Sequence, residues 1–274
     1  MAVTLADITH LRKMSGAGMM DCKQALEEAN CDYDKAMEII RKKGQAIAAK
    51  RSDREASQGC VLAAESEGFA AIVSVKCETD FVAKNADFIA MTQAFLDVAM
   101  ANQTASKEEL AATLLADGRP VANHITDRIG VTGEKMELGE YEHVHGEATI
   151  SYIHPGNKLA TIVAFNKPLE RQVARDVAMQ VAAMNPVALT PADVPERMIQ
   201  TERDIAREKA REAGKPENML DMIAEGAVQK FYKDSTLLQQ EFIKDAKLNI
   251  DQYLKKQDKE LTVTSFKRIT LNVE

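Results

Sequence analysis

Tryptophan is absent, and aromatic residues make up only 5% of the 274 positions. So few rings argue against an all-β core. The 13 methionines, set among many alanines and leucines, point instead to a helix-rich interior filled by adaptable side chains. Cysteine is sparse as well. Cys22, Cys31, Cys60 and Cys77 show no CxxC spacing, which reads as reduced core thiols rather than a disulfide framework. No apolar run reaches the roughly 18 residues of a membrane span. The opening MAVTLADITH has neither the basic nor the apolar region of a signal peptide, so a cytoplasmic location is expected. GxxxxGK[ST] is missing, and so is GxGxxG after a strand; any nucleotide chemistry would belong to a partner.

What is present is ordinary for a soluble globular chain: 45% hydrophobic and 28% charged residues, at 30.2 kDa, enough for one to three domains. The net charge of −7 is uneven, because residues 1–54 hold 10 Lys/Arg against 8 Asp/Glu, leaving 25 against 34 beyond. An acidic body lacks the clustered cations that nucleic-acid binding needs, so a protein partner is the expectation, with no direct nucleic acid and no membrane.

The first 45 residues parse as three short helices. Thr4 caps the first, with Asp7 in its first turn and Leu5, Ile8 and Leu11 on an apolar face, and Gly16 stops it. Asp21 and Gln24 have the spacing of a capping box for the second. In the third, Tyr33, Ala36, Met37 and Ile40 recur at helical intervals before Gly44 ends it. A polar stretch, KKGQAIAAKRSDREASQG, reads as a linker or a solvated helix.

An internal repeat follows. GCVLAAESEGFAAIVSVKCETDF with NADFIAMTQAFLDVAMAN, and GEATISYIHPGNKLATIVAFNKP with LERQVARDVAMQVAAMNP, each read as a hairpin and then a helix. The hairpins turn at ESEG and HPGN, and the return strands are β-branched enough to be central. The helices would bury Phe88, Met91, Phe95 and Leu96 in one copy, and Val173, Val177, Val181 and Met184 in the other. Each copy ends in a further strand, EKMELGEYEHV and LTVTSFKRITLNVE. The fold class is therefore α+β, a duplicated core of antiparallel sheets with helices on one side. Between Val194 and Lys230 the second copy carries an inserted helical hairpin with a seam including Met198, Ile205, Met219 and Ile223.

Candidate chemistry is thin. His143 and His145 share a strand face, but no third ligand is placed beside them, so a surface pair outweighs a metal site. Cys77 lies near Asp80, which would raise rather than lower a thiol pKa, so a buried strand cysteine outweighs a nucleophile. Met19 and Met20 are two core residues of the small module or an adaptable contact for a partner helix. In CETDFVAKN, Asn85 caps the next helix and Phe81 falls before it, at a loop position. It is a local anchor or a wedge presented to another protein, with Asp80 beside it.

RKMSGAGMMDCKQALEEANCDYDKAMEIIRKKG, CETDFVAKNADF, SYIHPGNKLATIVAF and REAGKPENMLDMIAEGAVQKFYKD occur in that order across the chain. Together they resemble bacterial translation elongation factor Ts over essentially the full length. The resemblance implies a guanine-nucleotide exchange factor, not an enzyme, with no cofactor, no metal and no catalytic residue. Its partner would be elongation factor Tu in GDP-bound and nucleotide-free forms. It also implies a UBA-like three-helix domain with linker at 1–54, core subdomains at 55–140 and 141–274, and a coiled-coil hairpin inserted at about 194–230. Thr79, Asp80, Phe81 and Val82 match the family element that dislocates the Mg²⁺ of elongation factor Tu. Leu11, Met19 and Met20 match residues packing on its GTPase domain, and His154 matches a hairpin-tip contact. The family hairpin is commonly HxGGxIGVLV; here it is HPGNKLATIV, stiffened by Pro155. Two other classes stay open on the residues: a pure binding module, and a thiol-dependent enzyme at Cys77. Monomer and homodimer are both open.

Overall fold

Thr4 begins the first helix, α1 (Leu5–Ser15), by a capping box: its side chain accepts from the Asp7 amide while the Asp7 carboxylate accepts from the Thr4 amide. Tyr33 Oη donates to Asp7 Oδ1 at 2.7 Å, and these bonds, that from the Thr4 side chain foremost, hold the Asp7 carboxyl down at about 2. Gly16 closes the helix at φ +70°. Leu5 departs from its expected place on the buried face and is exposed. Each three-residue step drifts by about 60° around the helix, so Leu5 lies too far from Leu11 to share its buried stripe.

The computed structural model describes residues 2–272. The chain divides into two units, Met1–Leu62 with Ile72–Glu142 and Thr270–Glu274, and Ala63–Ala71 with His143–Ile269. In the first, α2 (Met19–Glu28) starts from Gly18, not from Asp21, which sits in the first turn instead of capping it. Gly is a tolerated cap, and a carboxylate there still meets the positive helix end. The helix α3 (Tyr33–Lys50) is capped by Asp32 and runs through Gly44 rather than stopping there. Gly44 serves close approach instead. A Cβ on Gly130, in α7 (Val121–Thr132), would lie 2.8 Å from Gly44 Cα. Ile8, Leu11, Cys22, Ala25, Leu26 and Ala36 form the three-helix core.

The strands β1 (Gln58–Ser66) and β2 (Phe69–Cys77) flank the Glu67–Gly68 turn, and with β3 (Met136–His145) they form a sheet ordered β1-β2-β3. After β2 come a one-turn helix, α4 (Asp80–Ala83), then α5 (Ala86–Asn102), a short α6 (Lys107–Ala112) and α7. Phe88, Phe95, Leu96 and Ala99 are the buried face of α5, while Met91 is only half-buried. Thr104, just beyond α5, donates to Tyr141 Oη at 2.8 Å and its carbonyl accepts from that hydroxyl at 2.6 Å, joining the end of the helix to β3.

In the second unit β4 (Ala148–Ile153) and β5 (Leu159–Phe165) pair antiparallel, Ala148 opposite Phe165 and Ile153 opposite Ala160. β5 is buried throughout and is the middle strand of a sheet completed by β8 (Val263–Thr270). The helix α8 (Arg171–Met184) joins Val173, Val177 and Val181 to Ile150, Val163 and Phe165 in one core. Met184, expected in that face, is exposed because Asn185 turns left-handed directly after it and ends the helix.

A helical pair, α9 (Glu196–Glu212) and α10 (Glu217–Ser235), follows, and the chain continues through β6 (Glu241–Phe242), β7 (Asp245–Asn249) and α11 (Ile250–Lys255). The seam of the pair differs in part from the one expected: Met198 and Ile223 are half-buried, with Met198 packed against the cluster of Ile199 and Val228. Ile199, Ala210, Leu220, Ala224 and Val228 are buried, whereas Ile205 and Met219 are exposed. The neighbouring rows of the pair carry charge instead. Arg203 meets Glu225 at 2.6 Å, Arg207 meets Asp221 at 2.8 Å and Arg211 meets Glu217 at 3.0 Å.

Candidate partner-binding site

Where β2 ends, the chain must turn from a strand buried at all but Lys76 into a helix within a few residues. Thr79 is extended and caps α4, its Oγ1 accepting from the Val82 amide at 3.4 Å. Six residues later Asn85 caps α5, its Oδ1 accepting from the amides of Asp87 at 2.9 Å and Phe88 at 3.3 Å. The segment between two caps is a single helical turn. Phe81 therefore sits within a helix rather than in a loop before one, because Thr79 starts a turn of its own ahead of Asn85. Ala83 is the buried side of that turn and Val82 is half-buried. Phe81 points away, 84% exposed. A ring so exposed anchors nothing in its own chain. Beside it Asp80 pairs with Lys84 at 2.7 Å on the same surface.

Two residues with no sequence signal hold this turn. Glu134 takes both donors of Thr79, the hydroxyl at 2.6 Å and the amide at 3.1 Å, and Arg128 Nη2 donates to Asn85 Oδ1 at 2.9 Å. They lie more than 40 residues along the chain from their partners, beyond the reach of any local pattern. Nearby, Glu78 accepts from the Lys135 amide at 2.6 Å and from Arg54 at 2.9 Å.

Cys77 is buried behind the turn and donates to the Thr79 carbonyl at 3.2 Å. Burial first, and the charge of Glu134 second, push its thiol up to about 12; burial likewise pushes Cys60 up to about 11. Neither is a thiolate at neutral pH, so neither is a nucleophile. Iodoacetamide at pH 8 is expected to leave both thiols of the folded protein unmodified and to alkylate them in denaturant; mass spectrometry of the two digests checks this, and rapid labelling of native Cys77 would contradict it.

The remaining predicted positions are spread over the fold. Met19 and Met20, 46% and 73% exposed at the start of α2, lie outside the three-helix core. Leu11 is 0% exposed within that core and has no surface of its own to offer. His154 is exposed at the β4–β5 turn, where its carbonyl accepts from the Asn157 amide at 3.1 Å. With Pro155 second and Gly156 third at φ +94°, the four residues have the pattern of a type II turn. The His143 and His145 rings meet edge to face, and both lie tilted against Phe69, with ring centroids 5.0–5.8 Å apart. Among the described residues no group of three His, Cys, Asp or Glu is placed to hold a metal ion, and no helix is long and apolar enough to cross a membrane.

A family model described as elongation factor TS matches residues 78–273, starting at the residue before Thr79. The chain belongs to the elongation factor Ts family. Elongation factor Ts of Porphyromonas gingivalis is 69% identical over 274 residues, covering all of both chains. Proteins of the same name from Azobacteroides pseudotrichonymphae and Bacteroides fragilis are 56% and 46% identical, again covering all of both chains. The exposed turn that carries Phe81 thus lies inside the segment that the family model matches.

Proposed function

We propose that the protein is a guanine-nucleotide exchange factor acting on elongation factor Tu during translation elongation. One observation carries the reading: a chain of the elongation factor Ts family holds an aromatic ring out into solvent on a turn fixed at both ends. Phe81 wedges into an apolar pocket of the GTPase, with Thr79, Asp80 and Val82 around it, and disturbs the Mg²⁺ and phosphate-binding sites. GDP is held there by the cation and by backbone amides, so loosening both speeds its departure. No bond of the nucleotide is broken, no cofactor takes part, and the chain is not an enzyme. Exchange is accelerated because the nucleotide-free form is bound more tightly than the GDP form, and added nucleotide reverses the complex.

Met19 and Met20 supply a second, adaptable contact from a UBA-like three-helix domain at 1–54, with Leu11 supporting them from beneath. His154 offers a third from the second of two core subdomains, 55–140 and 141–274, and the pair α9 and α10 is a coiled-coil insertion. Release of a fluorescent GDP analogue from elongation factor Tu, with and without the protein, tests the reading. Faster release and a nucleotide-free complex that GDP dissolves are expected; stable association with unchanged release would make the protein a binding module instead.

A further inference from the structure

A four-residue helix cannot hold itself. One turn closes only a few backbone bonds, Ala83 to the Thr79 carbonyl at 3.2 Å and Lys84 to the Asp80 carbonyl at 3.1 Å among them, and the cap bond from Val82 to Thr79 is long at 3.4 Å. The direction of Phe81 therefore depends on supports outside α4: besides the packing of buried Ala83 and the Cys77 thiol on the Thr79 carbonyl, two charged side chains grip the ends of the turn, and both come from one place. At the front, the Glu134 carboxylate, just past the Gly133 cap of α7, accepts from the Thr79 hydroxyl and amide at 2.6 and 3.1 Å. A bidentate, charge-assisted grip of this kind fixes both position and direction. At the back, Arg128 of α7 donates to the Asn85 cap at 2.9 Å and reaches Asp87 at 3.4 Å. Asp80 pairs with Lys84 inside the same turn, and that pair cannot orient the turn against the rest of the unit.

We propose that Glu134 and Arg128 are positioning residues for Phe81, bracing the two ends of its turn so that α7 sets the direction in which the ring is offered to a partner. The functional half rests on the exchange reading above; the structural half stands without it. Because the chain has no tryptophan, a Phe81→Trp variant carries a single reporter. In the full-length protein, Glu134→Ala is expected to speed amide exchange at Val82, Ala83 and Lys84 by about tenfold, the scale of a lost charge-assisted bond. In the Phe81→Trp background it is expected to lower the reporter's fluorescence anisotropy, with amide protection in β2 and the body of α5 unchanged. Glu134→Gln, which keeps the volume and one acceptor, should fall between, and an Arg128→Leu variant should show the same loss at Lys84. Unchanged amide exchange across 79–85 in Glu134→Ala overturns the proposal.

A double-mutant cycle on GDP release from elongation factor Tu then reads the functional half. Glu134→Ala is expected to reduce stimulated release several-fold, on the order of three to ten, when Phe81 is present, and by less than about twofold when Phe81 is already alanine. Equal losses in both backgrounds would show that Glu134 does not act through the ring, and would overturn it. If Phe81→Ala alone costs nothing, it is the exchange reading that fails, while amide exchange still decides the brace.

Discussion

Phe81→Ala is expected to cut stimulated GDP release by about 10- to 100-fold while leaving the melting temperature of the protein unchanged. The two halves follow from one number, the 84% exposure of the ring. In the free chain it makes no core contact, so its loss opens no cavity and stability holds. In a complex, an aromatic that moves from water into an apolar pocket contributes about 1.5–3 kcal/mol by burial, and central aromatic anchors cost about 2 or more when truncated. At about 1.4 kcal/mol per factor of ten, that is the stated range. Stopped-flow release of labelled GDP together with a thermal melt of the free variant checks both. A variant with wild-type release, or one that melts several degrees early, would return Phe81 to the role of local anchor. Asp80→Ala is expected to act in the same direction and more weakly, since its carboxylate already shares a surface pair with Lys84.

Gly130→Val should destabilise the first unit by about 2–3 kcal/mol, chiefly by prising α3 from α7. A Cβ there would stand 2.8 Å from Gly44 Cα, with backbone on the far side and no flexible side chain to yield, and overpacking of that kind typically costs about 1–3 kcal/mol. Better helix propensity returns only a few tenths of that, and a branched side chain adds more bulk to the same place. Gly226→Ala in α10 is the control. Nothing lies within 4 Å of its Cβ position, so the substitution should stabilise by up to about 1 kcal/mol. Denaturant melts of the two variants separate the cases, and amide exchange in the second half of α3 should rise only in the first. Equal stability of both would mean that the glycine contact is incidental.

These glycines also mark what a single sequence can and cannot tell. Periodicity places Ile8, Leu11, Phe88, Phe95, Val173, Val177 and Val181 inside, because a buried stripe repeats locally and each position reports on its neighbours. Caps are equally local, and Thr4 and Asn85 act where their residue types suggest, although Asp21 gives its place to Gly18. Gly44 misleads because the same residue serves two purposes. A glycine ends a helix by adopting positive φ, or lets another backbone come near, and only the partner at Gly130 decides which. Phe81 was legible as an oddity, an aromatic just ahead of a capped helix. Its exposure was not legible, and neither was its support. Glu134 and Arg128 look like any solvated charges until the fold brings them to Thr79 and Asn85. The helical pair shows the same limit: hydrophobic residues at 205 and 219 invite a seam through them, yet the buried positions include Ile199, Ala210, Leu220 and Ala224 instead.

The three arginines along that pair repeat every four residues, as do the carboxylates facing them. Sliding α9 by one turn along α10 would set Arg203 opposite Asp221 and Arg207 opposite Glu217, exchanging partners and stranding only Arg211 at one end and Glu225 at the other. Charge of this kind is a rack without a stop: it favours contact everywhere along its length and says little about alignment. The stop is the short connection from Glu212 to Glu217, together with the buried fit of Leu220, Ala224 and Val228. Alignment in this arm is thus set by steric fit and chain length, and its ion pairs are indifferent to which turn they meet.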